Sequence, residues 1–156
     1  MLFKALDVNR DKDTVMVSGG FDPVHIGHVQ MIMEAATWGD VIVVINSDEW
    51  LMRKKGFVFM PWEERSSILY AMKGVVQVSE VDDRDNSVCE AIRRILPTYF
   101  ANGGDRKNIN TPEVSACEAL GVKLLWNVGG GKVQSSSDLV REAKRATPPL
   151  NDKDAS

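Results

Sequence analysis

Short continuous apolar runs alternate along the chain with stretches in which apolar residues recur every three or four positions, the rhythms of buried strands and amphipathic helices. Thr14 to Ser18 is the first run and predicts a strand. Ile26 to Trp38 follows, with Val29, Ile32 and Ala36 spaced to share one face of a helix. Asp40 to Asn46 (DVIVVIN) is apolar without alternation, the pattern of a parallel strand covered on both faces. Pro61 opens a helix reaching about Lys73, since proline is tolerated in a first turn. Val75 to Val81 predicts a third strand, and Ser87-x-x-Glu90 has the form of a capping box that starts a helix ending before Pro97. Thr98 to Ala101 predicts a short strand, Thr111-Pro112-Glu113 a helix start that Gly121 ends, and Val122 to Trp126 the fifth strand. A last helix begins within Ser135 to Ser137 and runs to about Arg145, before Pro148 and Pro149.

Strands that alternate with helices imply βαβ units. The expected fold is a single α/β domain over 14–146, a Rossmann-like five-stranded, mostly parallel sheet with helices on both faces. Residues 1–13 form an N-terminal segment and 147–156 a polar C-terminal tail. Ligands of such sheets bind beyond the C-terminal strand ends, where the strand order reverses. A length of 156 residues fits one domain, and 44% hydrophobic with 26% charged residues fits a globular chain. The net charge of -3 argues against a broad electrostatic grip on nucleic acid or anionic lipid. No apolar run approaches the roughly 20 residues of a membrane span, and Met1 to Asp13 lacks the apolar stretch of a secretory signal, so a cytoplasmic location is expected. Cys89 and Cys117 are expected to be reduced thiols, and two scattered His with two Cys do not make a zinc site.

The first strand runs into Ser18-Gly19-Gly20-Phe21-Asp22-Pro23-Val24-His25-Ile26-Gly27-His28. Gly19 and Gly20 allow a sharp turn and a close ligand approach. A helix beginning near His25 presents unpaired amides to whatever lies above the strand end, and phosphate suits them. His25 and His28 are three residues apart and project from one side of the first turn, with Gly27 leaving room between them. Imidazoles there can donate to charge developing on a phosphate.

This segment resembles the HxGH signature of the nucleotidyltransferase superfamily that includes the cytidylyltransferases, phosphopantetheine adenylyltransferase and the heptose-phosphate adenylyltransferases. The string His-Ile-Gly-His also resembles the signature of class I aminoacyl-tRNA synthetases, but no KMSKS-like segment is present and 156 residues leave no room for their further domains. The superfamily resemblance implies roles for further segments. After the second strand, Asn46-Ser47-Asp48 precedes Arg53-Lys54-Lys55-Gly56 on an expected loop. Lys54 matches the phosphate-gripping lysine of glycerol-3-phosphate cytidylyltransferases when counted from Asp48. Lys55 matches that of heptose-phosphate adenylyltransferases when the string is read as R-x-K-G, and Gly56 favours this register. In an extended loop the two side chains would point to opposite sides. Pro61-Trp62-Glu63-Glu64-Arg65 resembles the P-x-E-x-R segment whose arginine lies near the nucleotide. Asn102, Gly104 and Asp105 belong to a segment beside base and ribose, and Lys132 with Ser135, Ser136 and Ser137 to one that holds the outer phosphates. Three glycines and Lys132 stand here where many relatives carry an arginine or acidic residue.

The resemblance thus implies nucleotide binding by Ser18, Gly19, Gly20, Phe21, Asp22, Gly27, Arg65, Asn102, Gly104, Asp105, Lys132 and Ser135 to Ser137, with His25, His28, Lys54 and Lys55 as catalytic candidates. Mg²⁺ is expected with the nucleotide, and Asp22 is the nearest candidate carboxylate ligand. The expected reaction moves a nucleoside monophosphate from an NTP to a phosphorylated polyol or sugar such as glycerol 3-phosphate, with CTP favoured and release of pyrophosphate. An ATP-dependent heptose-phosphate adenylyltransferase is the alternative, and a non-catalytic nucleotide-binding module is disfavoured by the intact histidines. Neither nucleic acid nor membrane is an expected partner, and a homodimer is expected from relatives that pair.

Overall fold

A computed structural model of the chain describes residues 12–102, 111–129 and 143. Strands β1 (Thr14–Gly19), β2 (Asp40–Ile45), β3 (Val75–Ser79), β4 (Tyr99–Ala101) and β5 (Lys123–Leu125) form one sheet in the order β3-β2-β1-β4-β5, every neighbouring pair parallel. Between them run α1 (Ile26–Ala35), α2 (Asp48–Lys55), α3 (Trp62–Tyr70), α4 (Cys89–Ile95) and α5 (Pro112–Leu120). The chain steps outward from β1 to β3, then returns to the other side of β1 for β4. The order therefore reverses between β1 and β4, the position at which sheets of this kind bind their ligands above the strand ends.

The period-two alternation of strands sorts the core onto two faces. Val15, Val17, Val41, Val43 and Ile45 pack with Ile32 and Ala35 of α1 and Leu69 of α3. Met16, Val44 and Phe100 pack on the opposite face with Ala91 and Ile92 of α4 and Cys117 of α5. Helices thus cover both faces, as the unbroken apolar run of β2 requires. Cys89 and Cys117 are buried free thiols, and burial pushes Cys117 up to about 11, so it stays protonated. Among the described residues no helix is long and apolar enough to cross a membrane.

Three expectations are corrected. Helix α1 ends at Ala35, not Trp38, because Thr37 and Trp38 bond back to the carbonyls of Glu34 and Ala35 and tighten the last turn. The basic cluster is not a loop but the last turn of α2. Ser47 caps that helix by accepting the Trp50 N–H at 3.0 Å, Asp48 and Glu49 occupy the first turn, Arg53 to Lys55 the last, and Gly56 closes it in the left-handed region. The capping box at Ser87 does not form. Ser87 Oγ donates to Asp85, the Glu90 carboxylate accepts from the Asp82 N–H and pairs with Arg94, and the helix starts at Cys89. The expected helix from Ser135 lies outside the described residues.

Candidate active site

Helix α1 starts directly above the end of β1, and the two histidines build its first turn. His25 is the N-cap, and its Nδ1 accepts the Gly27 N–H at 3.0 Å. The His25 N–H in turn donates to His28 Nδ1 at 3.1 Å. Each imidazole thus spends Nδ1 on the backbone, which leaves the proton of the neutral ring on Nε2. The rings stack with centroids 3.9 Å apart, and Phe21 packs its edge against His28. Burial, and then the neighbouring His25, lower the His28 pKa to about 4. At neutral pH His28 is therefore an uncharged Nε2–H donor.

Helix α2 lies across the β1 turn. A β-carbon on Gly20 would come within 3.1 Å of Leu51 and 3.3 Å of Trp50, so glycine is what lets the helix approach. From its last turn Lys55 reaches back to Asp22, with Nζ 2.6 Å from the backbone oxygen and 2.9 Å from the carboxylate. Lys54, one residue earlier and about 100° around the helix, lies exposed over the Trp50 ring at 4.6 Å. The two lysines do point apart, through helical rotation rather than strand alternation.

Asp22 is buried. Its carboxylate accepts the Phe59 N–H at 2.8 Å and the Met60 N–H at 2.5 Å besides holding Lys55. Both oxygens are thereby committed to the segment that joins α2 to α3, and they do not fit a resident divalent cation. Among the described residues no group of three His, Cys, Asp or Glu is placed to hold a metal.

Arg65 departs furthest from expectation. The resemblance implies a nucleotide contact, yet its side chain is fully buried at 0% exposure. Nε donates to the Met60 carbonyl at 2.9 Å, Nη1 to the carbonyls of Gly20 at 2.6 Å and Asn46 at 2.8 Å, and Nη2 to the Asp48 carboxylate at 2.5 Å. It ties the ends of β1 and β2 together from beneath.

Asp83, in the segment after β3, was not singled out from the sequence. Its buried carboxylate accepts Asn46 Nδ2 at 3.1 Å, the Ser47 N–H at 2.8 Å and Ser47 Oγ at 2.8 Å, which fixes the start of α2. Arg53 donates to its backbone oxygen at 2.8 Å. Beyond the ends of β2 and β3 a cavity of about 320 Å³ opens beside these residues, walled by Trp62 and rimmed by Asp48, Glu49, Glu80, Asp82 and Arg84. Hydrogen bonds from Arg84 hold Asp82 down to about 2, so that carboxylate stays charged.

On the other side of β1, Asn102 follows β4, its N–H donating to Leu125 and its carbonyl accepting from Val128. The Gly129 N–H donates to the Glu34 carboxylate, which brings the start of the glycine run against α1. Ser18 and Gly19 are the last residues of β1, in register with Val44 and Ile45 of β2. Gly104, Asp105, Lys132 and Ser135 to Ser137 lie outside the described residues.

Residues 16–117 match the family model described as cytidylyltransferase-like. The chain belongs to the cytidylyltransferase-like family. It is a nucleotidyltransferase of that family. Among its relatives are the bifunctional proteins HldE of Cronobacter sakazakii and of Escherichia coli O1:K1, each 36% identical over 124 residues, 78% of this chain. The transferase spans only 24% of the length of these curated relatives. Its fold is shared with a lipopolysaccharide core biosynthesis protein from Thermoplasma volcanium, at TM-score 0.62 and 20% identity over 74% of this chain and 95% of that one. A bifunctional NMN adenylyltransferase/ADP ribose pyrophosphatase from Francisella tularensis also superposes at TM-score 0.62, with 14% identity over 88% of this chain and 44% of the other.

Proposed function

We propose that the transferase moves a nucleoside monophosphate from an Mg-NTP complex onto a sugar or polyol phosphate, with ATP and a heptose phosphate as the foremost pair. The observation that carries this reading is Lys55 docked on Asp22, in the same turn that presents His25 and His28. Lys55 is the lysine of the R-x-K-G register shared with heptose-phosphate adenylyltransferases, and the HldE relatives lend weight to the same side. That reverses the order drawn from the sequence, which put CTP and glycerol 3-phosphate first.

An acceptor phosphate oxygen attacks the α-phosphorus in line. The bond to the bridging oxygen breaks, and its electron pair leaves with pyrophosphate. An acceptor already ionised needs no general base, so the protein's task is alignment and charge neutralisation. His28 donates Nε2–H to the α-phosphate, Lys55 supplies positive charge beside it, and His25 faces the leaving group. The cation arrives as part of the nucleotide substrate. The carboxylates around the cavity beyond β2 and β3 suit the hydroxyls of an acceptor and oppose a second anionic group on it. The enzyme is proposed to work in the cytoplasm as a homodimer, and sedimentation giving a pure monomer at micromolar concentration would remove the dimer.

Pyrophosphate release over four NTPs and a panel of sugar and polyol phosphates tests the reading. ATP with a heptose phosphate is expected to turn over fastest. Preference for CTP with glycerol 3-phosphate would reinstate the other order, and no release with any pair would favour a non-catalytic nucleotide-binding module.

A further inference from the structure

The carbonyl and N–H of a trans peptide point in opposite directions. Arg65 Nη1 holds two carbonyls, those of Asn46 and Gly20, and so sets the direction of the two following amides. At the first peptide the consequence is visible: the Ser47 N–H, turned away from Arg65, donates to the Asp83 carboxylate at 2.8 Å. At the second, the Phe21 N–H is turned away in the same manner but meets no acceptor among the described residues. The turn that achieves this places Phe21 at φ 52, a left-handed conformation unusual for a side chain of that size. One peptide's amide has an anionic oxygen from the protein, and its counterpart, next to the paired histidines, has none among the described residues.

We propose that Arg65 is a positioning residue that aims the Phe21 N–H at an anionic phosphate oxygen of the ligand, as it aims the Ser47 N–H at Asp83. Arg65 itself does not touch substrate. Its guanidinium draws the Gly20 carbonyl inward and so presents the donor on the other side of the same peptide. The inference rests on the phosphate-binding reading of the histidine turn. A lysine at this position, a point charge with no planar fork, cannot span the carbonyls of Gly20, Asn46 and Met60 together with Asp48.

The test is a titration of ¹⁵N-labelled protein with inorganic pyrophosphate, following the Phe21 amide and the His28 ring. In the wild type both signals are expected to move with one dissociation constant. In Arg65→Lys the His28 response should persist while the Phe21 response is lost. Turnover should fall on the order of 10²-fold, as on losing one transition-state donor, with KM for the nucleotide changed only a few-fold. Asp48→Asn, which loosens one arm of the guanidinium, should weaken the Phe21 response part-way and serves if Arg65→Lys does not fold. A wild-type Phe21 amide that stays still while His28 moves overturns the proposal, as does an Arg65→Lys variant with the wild-type response. If neither signal moves, the phosphate-binding reading of the turn fails, and the inference with it.

Discussion

His28 has one task that is seen and one that is proposed, and a pair of substitutions divides them. Its Nδ1 accepts the His25 N–H at 3.1 Å, while the proton on Nε2 is the donor proposed for the α-phosphate. Glutamine is the usual third-position partner in a capping box and can accept the His25 N–H through Oε1; the one donor it leaves is its amide NH₂, which no ring holds at the Nε2 position. His28→Gln should therefore fold with nearly wild-type stability yet lose about 10²- to 10³-fold in kcat, roughly 3–4 kcal/mol of transition-state stabilisation. His28→Ala loses the same catalytic factor and also the cap, a further cost of about 1 kcal/mol, or some 2–4 °C in melting temperature. The depressed pKa adds a pH signature. The folded ring titrates near 4 and the unfolded one near 6.5, so between those values the unfolded chain binds more protons and stability rises with pH. His28 thus contributes a loss on the order of 3 kcal/mol as pH falls from 7 to 4, a component absent from His28→Gln. Pyrophosphate release and thermal melts between pH 4.5 and 8 read all of this. Near wild-type turnover in His28→Ala, which keeps no donor at all, would refute the donor role, and a kcat that drops with an apparent pKa near 6.5, lost in His28→Gln, would refute the depressed pKa.

Lys55→Ala should lose at least about 10²-fold in kcat, while Lys54→Ala stays within about twofold, since an exposed charge contributes little. Equal losses would mean that both lysines reach the phosphates. Asp83→Ala leaves the Asn46 and Ser47 donors without their acceptor and should lower stability by roughly 3 kcal/mol, about 6–12 °C, as read by differential scanning calorimetry. An unchanged melting point would show that water replaces the carboxylate at no cost. Chelating divalent cations should abolish turnover without moving the melting temperature, because the cation enters with the nucleotide; a large drop on chelation would reveal a resident structural metal.

The strands were legible because a sheet covered on both faces demands apolar residues without alternation, and DVIVVIN has no other comfortable home in a chain of this composition. The histidine turn was legible because glycines, a helix start and two residues three apart constrain geometry locally. Helix α2 also carries its signals, with Ser47 as cap, acids first, bases last and Gly56 behind, but the same run of bases fits a phosphate-gripping loop equally well in one dimension. Arg65 left a trace too. It sits three residues after Trp62 and four before Leu69, the spacing that places residues on one face, and Leu69 is fully buried. An arginine on the apolar stripe of a helix is either an error of reading or a buried strut. Asp83 left none. It is one of three acids in Asp82-Asp83-Arg84-Asp85, loops have no period to separate the buried one from its neighbours, and its partners stand 36 and 37 residues earlier.

Those two residues explain why Lys54 and Lys55, which spacing alone does not tell apart, take different directions in three dimensions. Asp83 pins the first turn of α2 through Asn46 and Ser47, and Arg65 pins the same turn through Asp48. With that end held, the rotation of every later residue is determined at about 100° per position. The eight residues of α2 carry the chain about 12 Å, and the eighth, Lys55, emerges over the β1 turn, where Asp22 receives it. Lys54, one step earlier, is turned onto Trp50 and solvent. Counting residues from Asp48 or back from Gly56 assigns the role to either lysine, because spacing alone carries no angle. The angle comes from the clamped first turn, and the clamp consists of the buried acid and the buried arginine that the linear pattern either concealed or assigned to the ligand.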